Sequence, residues 1–121
     1  MSNKEIVEFK TGATRTKEST FDPEGFISPL VLAEYSKYME EHRFQADGKL
    51  RAADNWQKGM PSSRGIRSLM RHVLDAWLMS RGYQPVSHDC KTIREALCGV
   101  IFNAMLLLKN YTEGEHHEPN A

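Results

Sequence analysis

Apolar residues recur at helical spacing in three separate stretches of this chain. Ile27, Leu30, Val31, Tyr35 and Tyr38 trace one stripe, and Ser28-Pro29 offers an N-cap followed by proline at the first helical position, so a helix is predicted from 29 to about 43. Ile66, Leu69, Met70, Val73, Leu74, Trp77 and Leu78 predict a second helix over about 63–81, stopped by Gly82. The third, over about 91–111, is apolar nearly all round between Leu97 and Leu108, which marks a helix central to a bundle or lying across a subunit interface. Residues 1–22 hold only isolated Ile6 and Phe9 among Lys, Glu and Thr, show no strand-like alternation, and predict an extended arm that cannot build a core alone. Segment 45–62 contains Gly48, Gly59 and Pro61 without sustained period and is expected as a long loop, the kind that usually carries function. The polar run at 112–121 reads as a tail. The expected fold is therefore all-α, one helical domain over 23–111 between an arm and a tail. Its surplus of apolar surface is expected to be covered in a homo-dimer or higher assembly.

Several polar residues interrupt this pattern. Glu34 and Glu41 fall inside the apolar stripe of the first helix, so two carboxylates are expected to point inward. An inward carboxylate must be protonated, paired with a cationic side chain or bound to a cation. Mg²⁺ ligation and an ion pair to an arginine of another helix both satisfy that demand. On the second helix, Arg64, Arg67, Arg71 and Asp75, with His72 beside them, lie away from the apolar stripe. They form either a phosphate-binding face with Asp75 as a metal oxygen, or a solvated face with an Arg71–Asp75 pair. Glu95, Gly99 and Asn103 share one line of the third helix, and Asn103 is the lone polar side chain in VIFNAMLLL. It faces either a shared pocket or an interhelical hydrogen bond. Gly99 there points to a close approach by a ligand or backbone.

In the long loop, Asn55, Trp56 and Lys58 bring an amide, an aromatic plane and a cation together, which suits a base and its phosphate; Trp56 as a simple packing anchor is the alternative.

Charge narrows the partners. Sixteen basic and sixteen acidic side chains cancel, so no overall field draws nucleic acid or an anionic membrane, and neither is expected as a partner. The N-terminus lacks the apolar run of a signal peptide and no stretch is long enough to span a bilayer, so a cytoplasmic location is expected, host cytoplasm if the chain is phage-encoded. Cys90 and Cys98, the only two cysteines, are not spaced as a CxxC pair and read as plain thiols.

Taken in order, Thr11-Gly12-Ala13-Thr14-Arg15, Gly25-Phe26-Ile27-Ser28-Pro29-Leu30, Asp54-Asn55-Trp56-Gln57-Lys58-Gly59-Met60, Arg71-His72 and Ala96-Leu97-Cys98 leading to Phe102-Asn103 resemble the phage dATP/dGTP diphosphohydrolases of the MazG-like superfamily. The resemblance covers residues 11 to about 110. It implies a MazG-like bundle of three main helices completed by dimerisation. It also implies hydrolysis of a purine deoxynucleoside triphosphate to the monophosphate and pyrophosphate with Mg²⁺ or Mn²⁺. On that reading Glu34, Glu41 and Asp75 hold metal, and Glu95 joins them as a catalytic group. Arg15, Asn55, Trp56, Lys58, Arg64, Arg71, His72 and Asn103 bind substrate. The superfamily's ExxE and ExxD pairs are incomplete: Lys37 follows Glu34 at the third position, Asn103 stands where an Asp is expected, and His72 with Asp75 forms an HxxD. A non-catalytic protein that sequesters a nucleotide or cyclic nucleotide on the same fold retains the pocket without needing the full acid set.

Overall fold

The computed structural model describes residues 5–17 and 20–114. The remaining residues of the expected arm, and residues 115–121 of the expected tail, lie outside that range. The order is β1 (Ile6–Glu8), β2 (Thr14–Thr16), α1 (Pro23–Phe26), α2 (Pro29–Glu41), a 3₁₀ turn (Asn55–Lys58), α3 (Ser62–Ser80) and α4 (Ile93–Thr112). The architecture is mostly helical, with one small sheet. Among the described residues, no helix is long and apolar enough to cross a membrane.

Local cap chemistry starts α2 and α4, whereas α3 begins after Pro61 with no side-chain cap. The Ser28 side chain accepts from the amide of Val31, with Pro29 at the first helical position of α2. A full capping box opens α4: Thr92 accepts from the Glu95 amide and Glu95 accepts from the Thr92 amide. The arm is an exposed antiparallel hairpin rather than a featureless extension, with Val7 opposite Arg15. Three-residue strands are too short to display a period of two, which is why no alternation is visible in the sequence. Gly12, at φ 91°, makes the turn.

The packing of the helices corrects the expected faces. The apolar stripe of α3 lies largely at the surface, with Ile66, Met70 and Trp77 each at least half exposed, and on α2 Leu30 and Val31 are exposed as well. The opposite face of α3, carrying Gly65, Ser68, His72 and Asp75, turns inward against α4. On α4 the matching line is Ala96, Gly99, Asn103, Leu106 and Asn110, all buried. Periodicity locates an apolar face; it does not say whether the partner for that face lies within the same chain.

Close approach explains the small residues in this seam. A Cβ on Gly99 would sit 2.6–2.7 Å from three atoms of the His72 ring, and one on Gly65 would sit 3.0 Å from a methyl of Leu107. Asn110 then ties the start of α3 to the end of α4, donating to the Met60 carbonyl at 2.9 Å and the Ser62 hydroxyl at 3.1 Å. The second contact of α4 is with α2, where Tyr35 and Tyr38 pack on Cys98 with Met39 and Phe102 at the margin.

Gly99→Ala is expected to destabilise the protein. The helix-propensity gain is about 1 kcal/mol, and displacing a packed ring costs about 1–3 kcal/mol, so a net loss of up to about 2 kcal/mol follows. Urea unfolding checks it, and adding His72→Ala should remove the clash component in the double variant.

Candidate functional site

The 43–60 segment folds back on itself before it reaches α3. Phe44 bridges Leu50, Arg51 donates from its amide to the Arg43 carbonyl at 2.7 Å, and the Arg43 side chain returns a bond to the Arg51 carbonyl at 2.8 Å. Arg51 also reaches the His42 carbonyl at 2.8 Å. This knot and the Asn55–Lys58 turn form one wall of a cleft of about 680 Å³, with α2, α3 and α4 as the others. Its size falls within the range of small-molecule sites, roughly 300–1,000 Å³.

Trp56 stands at the wall with its ring edge-on to Phe102, centroids 6.1 Å apart, and with the Lys109 ammonium 5.9 Å from its ring centre. It is both a packing anchor and a cleft-lining aromatic. Asn55, Arg64, His72, Glu95 and Asn103 line the same cleft. Asn103 donates to the Gly99 carbonyl of its own helix at 2.8 Å rather than to a neighbouring helix. Tyr35 and Tyr38 line it too, and burial pushes both phenols up to about 12, which keeps them neutral.

Other expected site residues stand elsewhere. Lys58 and Arg71 are exposed and do not line the cleft; Arg71 donates to Ser68 at 3.0 Å rather than to Asp75. Arg15 sits on β2, also outside the cleft. Glu34 and Glu41 both turn to Arg94 on α4, at 2.9 Å and 3.7 Å. The Arg94 hydrogen bond, with Lys37 adding to it, holds the Glu34 carboxyl below its usual range. The arginine pairing is thus seen, but the inward placement is not: Glu34 is only partly buried and Glu41 is exposed. Asp75 is fully buried on the α4-facing side of α3 and caps the α3–α4 connection, accepting from the amides of Val86 at 2.7 Å and Ser87 at 3.4 Å. Burial pushes its carboxyl up, but the hydrogen bonds from Ser87 and the Val86 amide outweigh that and leave it lowered.

Glu34, Glu41 and Asp75 therefore do not form one metal centre. A trio of potential ligands does converge: ligand atoms of His72, Asp75 and Cys90 lie within 4.8 Å of one another, the only such group among the described residues.

No protein-family profile, curated protein or solved structure matches this chain.

The residues that sequence reasoning missed are His42, Arg43, Arg51 and Cys90 in the cleft, and Asn110 beneath it. Arg43 and Arg51 carry no periodic signal because their placement comes from backbone bonds within an irregular loop. Asn110 is legible only as a polar residue near the end of an apolar helix.

Two outcomes are expected. Glu34→Gln should leave a folded protein with a slightly lower melting temperature, and the difference should shrink as salt screens the exposed pair with Arg94; thermal melts at low and high salt check this. Burial lowers the His72 pKa against the pull of Asp75. A depressed folded-state value means its contribution to stability is complete above the unfolded value, about 6.5, and is lost as pH falls through and below it. Urea titrations in chelator at about pH 7.5 and about pH 5.5 should show that loss, and His72→Gln should flatten it.

Proposed function

We propose that the cleft binds a purine deoxynucleoside triphosphate and that the chain hydrolyses it to the monophosphate and pyrophosphate, as a MazG-like protein would. The observation that carries the proposal is the grouping of Trp56 and Asn55 with Arg43, Arg51 and Arg64 around one cleft of suitable volume, in which the Arg43 guanidinium also pairs with Glu40 at 3.1 Å. Trp56 offers a plane for a base and Asn55 an amide for its edge. The arginines suit the charge and fork geometry of phosphate oxygens. In the reaction, water attacks the α-phosphorus, the bond to the bridging oxygen breaks, and pyrophosphate leaves.

The expected ligands Glu34, Glu41 and Asp75 do not fit a shared Mg²⁺ site, so no step is drawn through an ion they hold. Mg²⁺ enters this proposal as part of the substrate, since the ion binds triphosphate oxygens directly and needs few protein carboxylates. The exposed apolar faces of α2 and α3 support assembly into a homo-dimer, with a second copy covering them.

The engagement of Glu34 and Glu41 by Arg94 favours a second reading, a nucleotide or cyclic-nucleotide binder without turnover. Pyrophosphate release from each of the four dNTPs with Mg²⁺ or Mn²⁺ separates the readings. Release from dATP or dGTP supports the hydrolase. Stabilisation by nucleotides that persists in EDTA, without release, supports the binder. Neither release nor a thermal shift overturns both. Arg64→Ala removes an exposed side chain and should leave the fold intact. It should weaken nucleotide binding about tenfold or more, the order expected for one charge-assisted hydrogen bond of roughly 1.5–3 kcal/mol.

A further inference from the structure

Beneath the cleft, the α3–α4 seam holds polar atoms that the proposed nucleotide chemistry does not use. Asp75 is 0% exposed. One of its oxygens, Oδ1, serves the Val86 and Ser87 amides; the other, Oδ2, is buried without a hydrogen-bond partner, and so is Nδ1 of His72. Unsatisfied buried polar atoms are uncommon because each carries its desolvation cost uncompensated. Two of them occur here in neighbouring side chains one helical turn apart. The third member, Cys90, is a buried free thiol whose only hydrogen bond is a long one, 3.8 Å, to the Thr92 carbonyl.

We propose that His72, Asp75 and Cys90 bind a divalent transition-metal ion of the zinc class, with its fourth coordination position open to the cleft. Geometry supports it. Zn²⁺ takes nitrogen, oxygen and sulfur ligands at about 2.0–2.3 Å in a tetrahedron, which places ligand atoms about 3.3–3.8 Å apart. Ligand atoms already within 4.8 Å reach that spacing by shifts of roughly 1 Å. The ligand set is mixed and includes a thiol, which suits Zn²⁺, Co²⁺ and their relatives and is foreign to Mg²⁺. The ion would sit among the side chains that carry the unpartnered Oδ2 of Asp75 and Nδ1 of His72.

Two features of the frame hold the ligands in place. The His72 ring is seated against Gly99, where no Cβ fits, and Asp75 is fastened by the amides of the α3–α4 connection. These are the supporting contacts a metal site needs around its ligands. His72 and Cys90 line the cleft whereas Asp75 does not, so the ion's free face is toward the cleft, where Asp89 and Glu95 also stand. On binding, the Cys90 thiol gives its proton to solvent and its contact with Thr92 is exchanged for the metal bond.

The inference stands apart from the nucleotide reading, and its test contains no nucleotide. The full chain is stripped with chelator under reducing conditions and titrated with Zn²⁺ against a chromophoric chelator, then with Co²⁺ while the absorption spectrum is recorded. One tightly bound ion per chain and a near-ultraviolet thiolate-to-cobalt charge-transfer band are expected. Cys90→Ser should abolish the band, and Cys90→Ser, Asp75→Asn and His72→Gln should each weaken Zn²⁺ by about 100-fold or more, at or beyond the loss from removing a supporting contact. Wild-type protein that takes up no Zn²⁺ at micromolar free metal, a Co²⁺ adduct without the thiolate band, or a folded Cys90→Ser variant with wild-type affinity each overturns the proposal. If a variant fails to fold by circular dichroism, the wild-type Co²⁺ spectrum alone decides.

Discussion

The contact between the His72 ring and the bare backbone of Gly99 sets the distance between α3 and α4, and most of the structure follows from that distance. A helix pair this close needs small residues where the backbones meet. Gly65, Ser68, Ala96 and Gly99 in the seam are of that kind. Leu106 is buried in it beside Gly65, but the large apolar side chains of the α3 stripe lie outside it. They are displaced to the outer faces, where Ile66, Met70 and Trp77 meet solvent in the single chain.

The seam is consequently polar as well as tight. Asp75, Asn103 and Asn110 are all buried, and each has a backbone partner: the Val86 and Ser87 amides, the Gly99 carbonyl and the Met60 carbonyl. The bonds of Asp75 and Asn110 reach beyond their own helices and specify register more sharply than an all-apolar seam would, because a slip would strand them, whereas Asn103 is satisfied within α4. The same bonds fix both ends of the α3–α4 pair. Asn110 anchors the chain entering α3, and Asp75 anchors the chain leaving it. The cleft takes its shape from these anchors. Its walls on α3 and α4 are set by the seam, its α2 wall by Tyr35 and Tyr38 on Cys98, and its loop wall by the reciprocal bonds of Arg43 and Arg51.

Electrostatics divides the carboxylates between two tasks. Glu34 and Glu41 meet Arg94 at the edge where α2 touches α4, a partly exposed arrangement in which pairing costs little desolvation. Asp75 is buried and compensated by the Ser87 side chain and the Val86 and Ser87 amides, with one oxygen left over. The chain therefore holds one set of acids that is already neutralised and one acid whose local charge is unfinished.

Much of the helical framework was legible in the sequence. Ser28-Pro29 is cap chemistry that acts within a few residues, so α2 begins where local reasoning can find it, whereas the Thr92–Glu95 capping box of α4 is seen in the structure, where it occupies the carboxylate expected to be catalytic. The inward tilt of Glu34, the isolation of Asn103 and the close approach at Gly99 were also readable, as breaks in a periodic pattern. What pattern could not decide was the partner of each face. The carboxylate of Glu34 met Arg94 sixty residues later, the α3 face opposite the apolar stripe became the inner one, and Cys90 came to lie beside His72 and Asp75 through the fold-back of the α3–α4 connection. Caps and periods are set by bonds between near neighbours in the chain. Ion pairs, seams and clefts are set by which surfaces pack together, and only the tertiary structure chose among them.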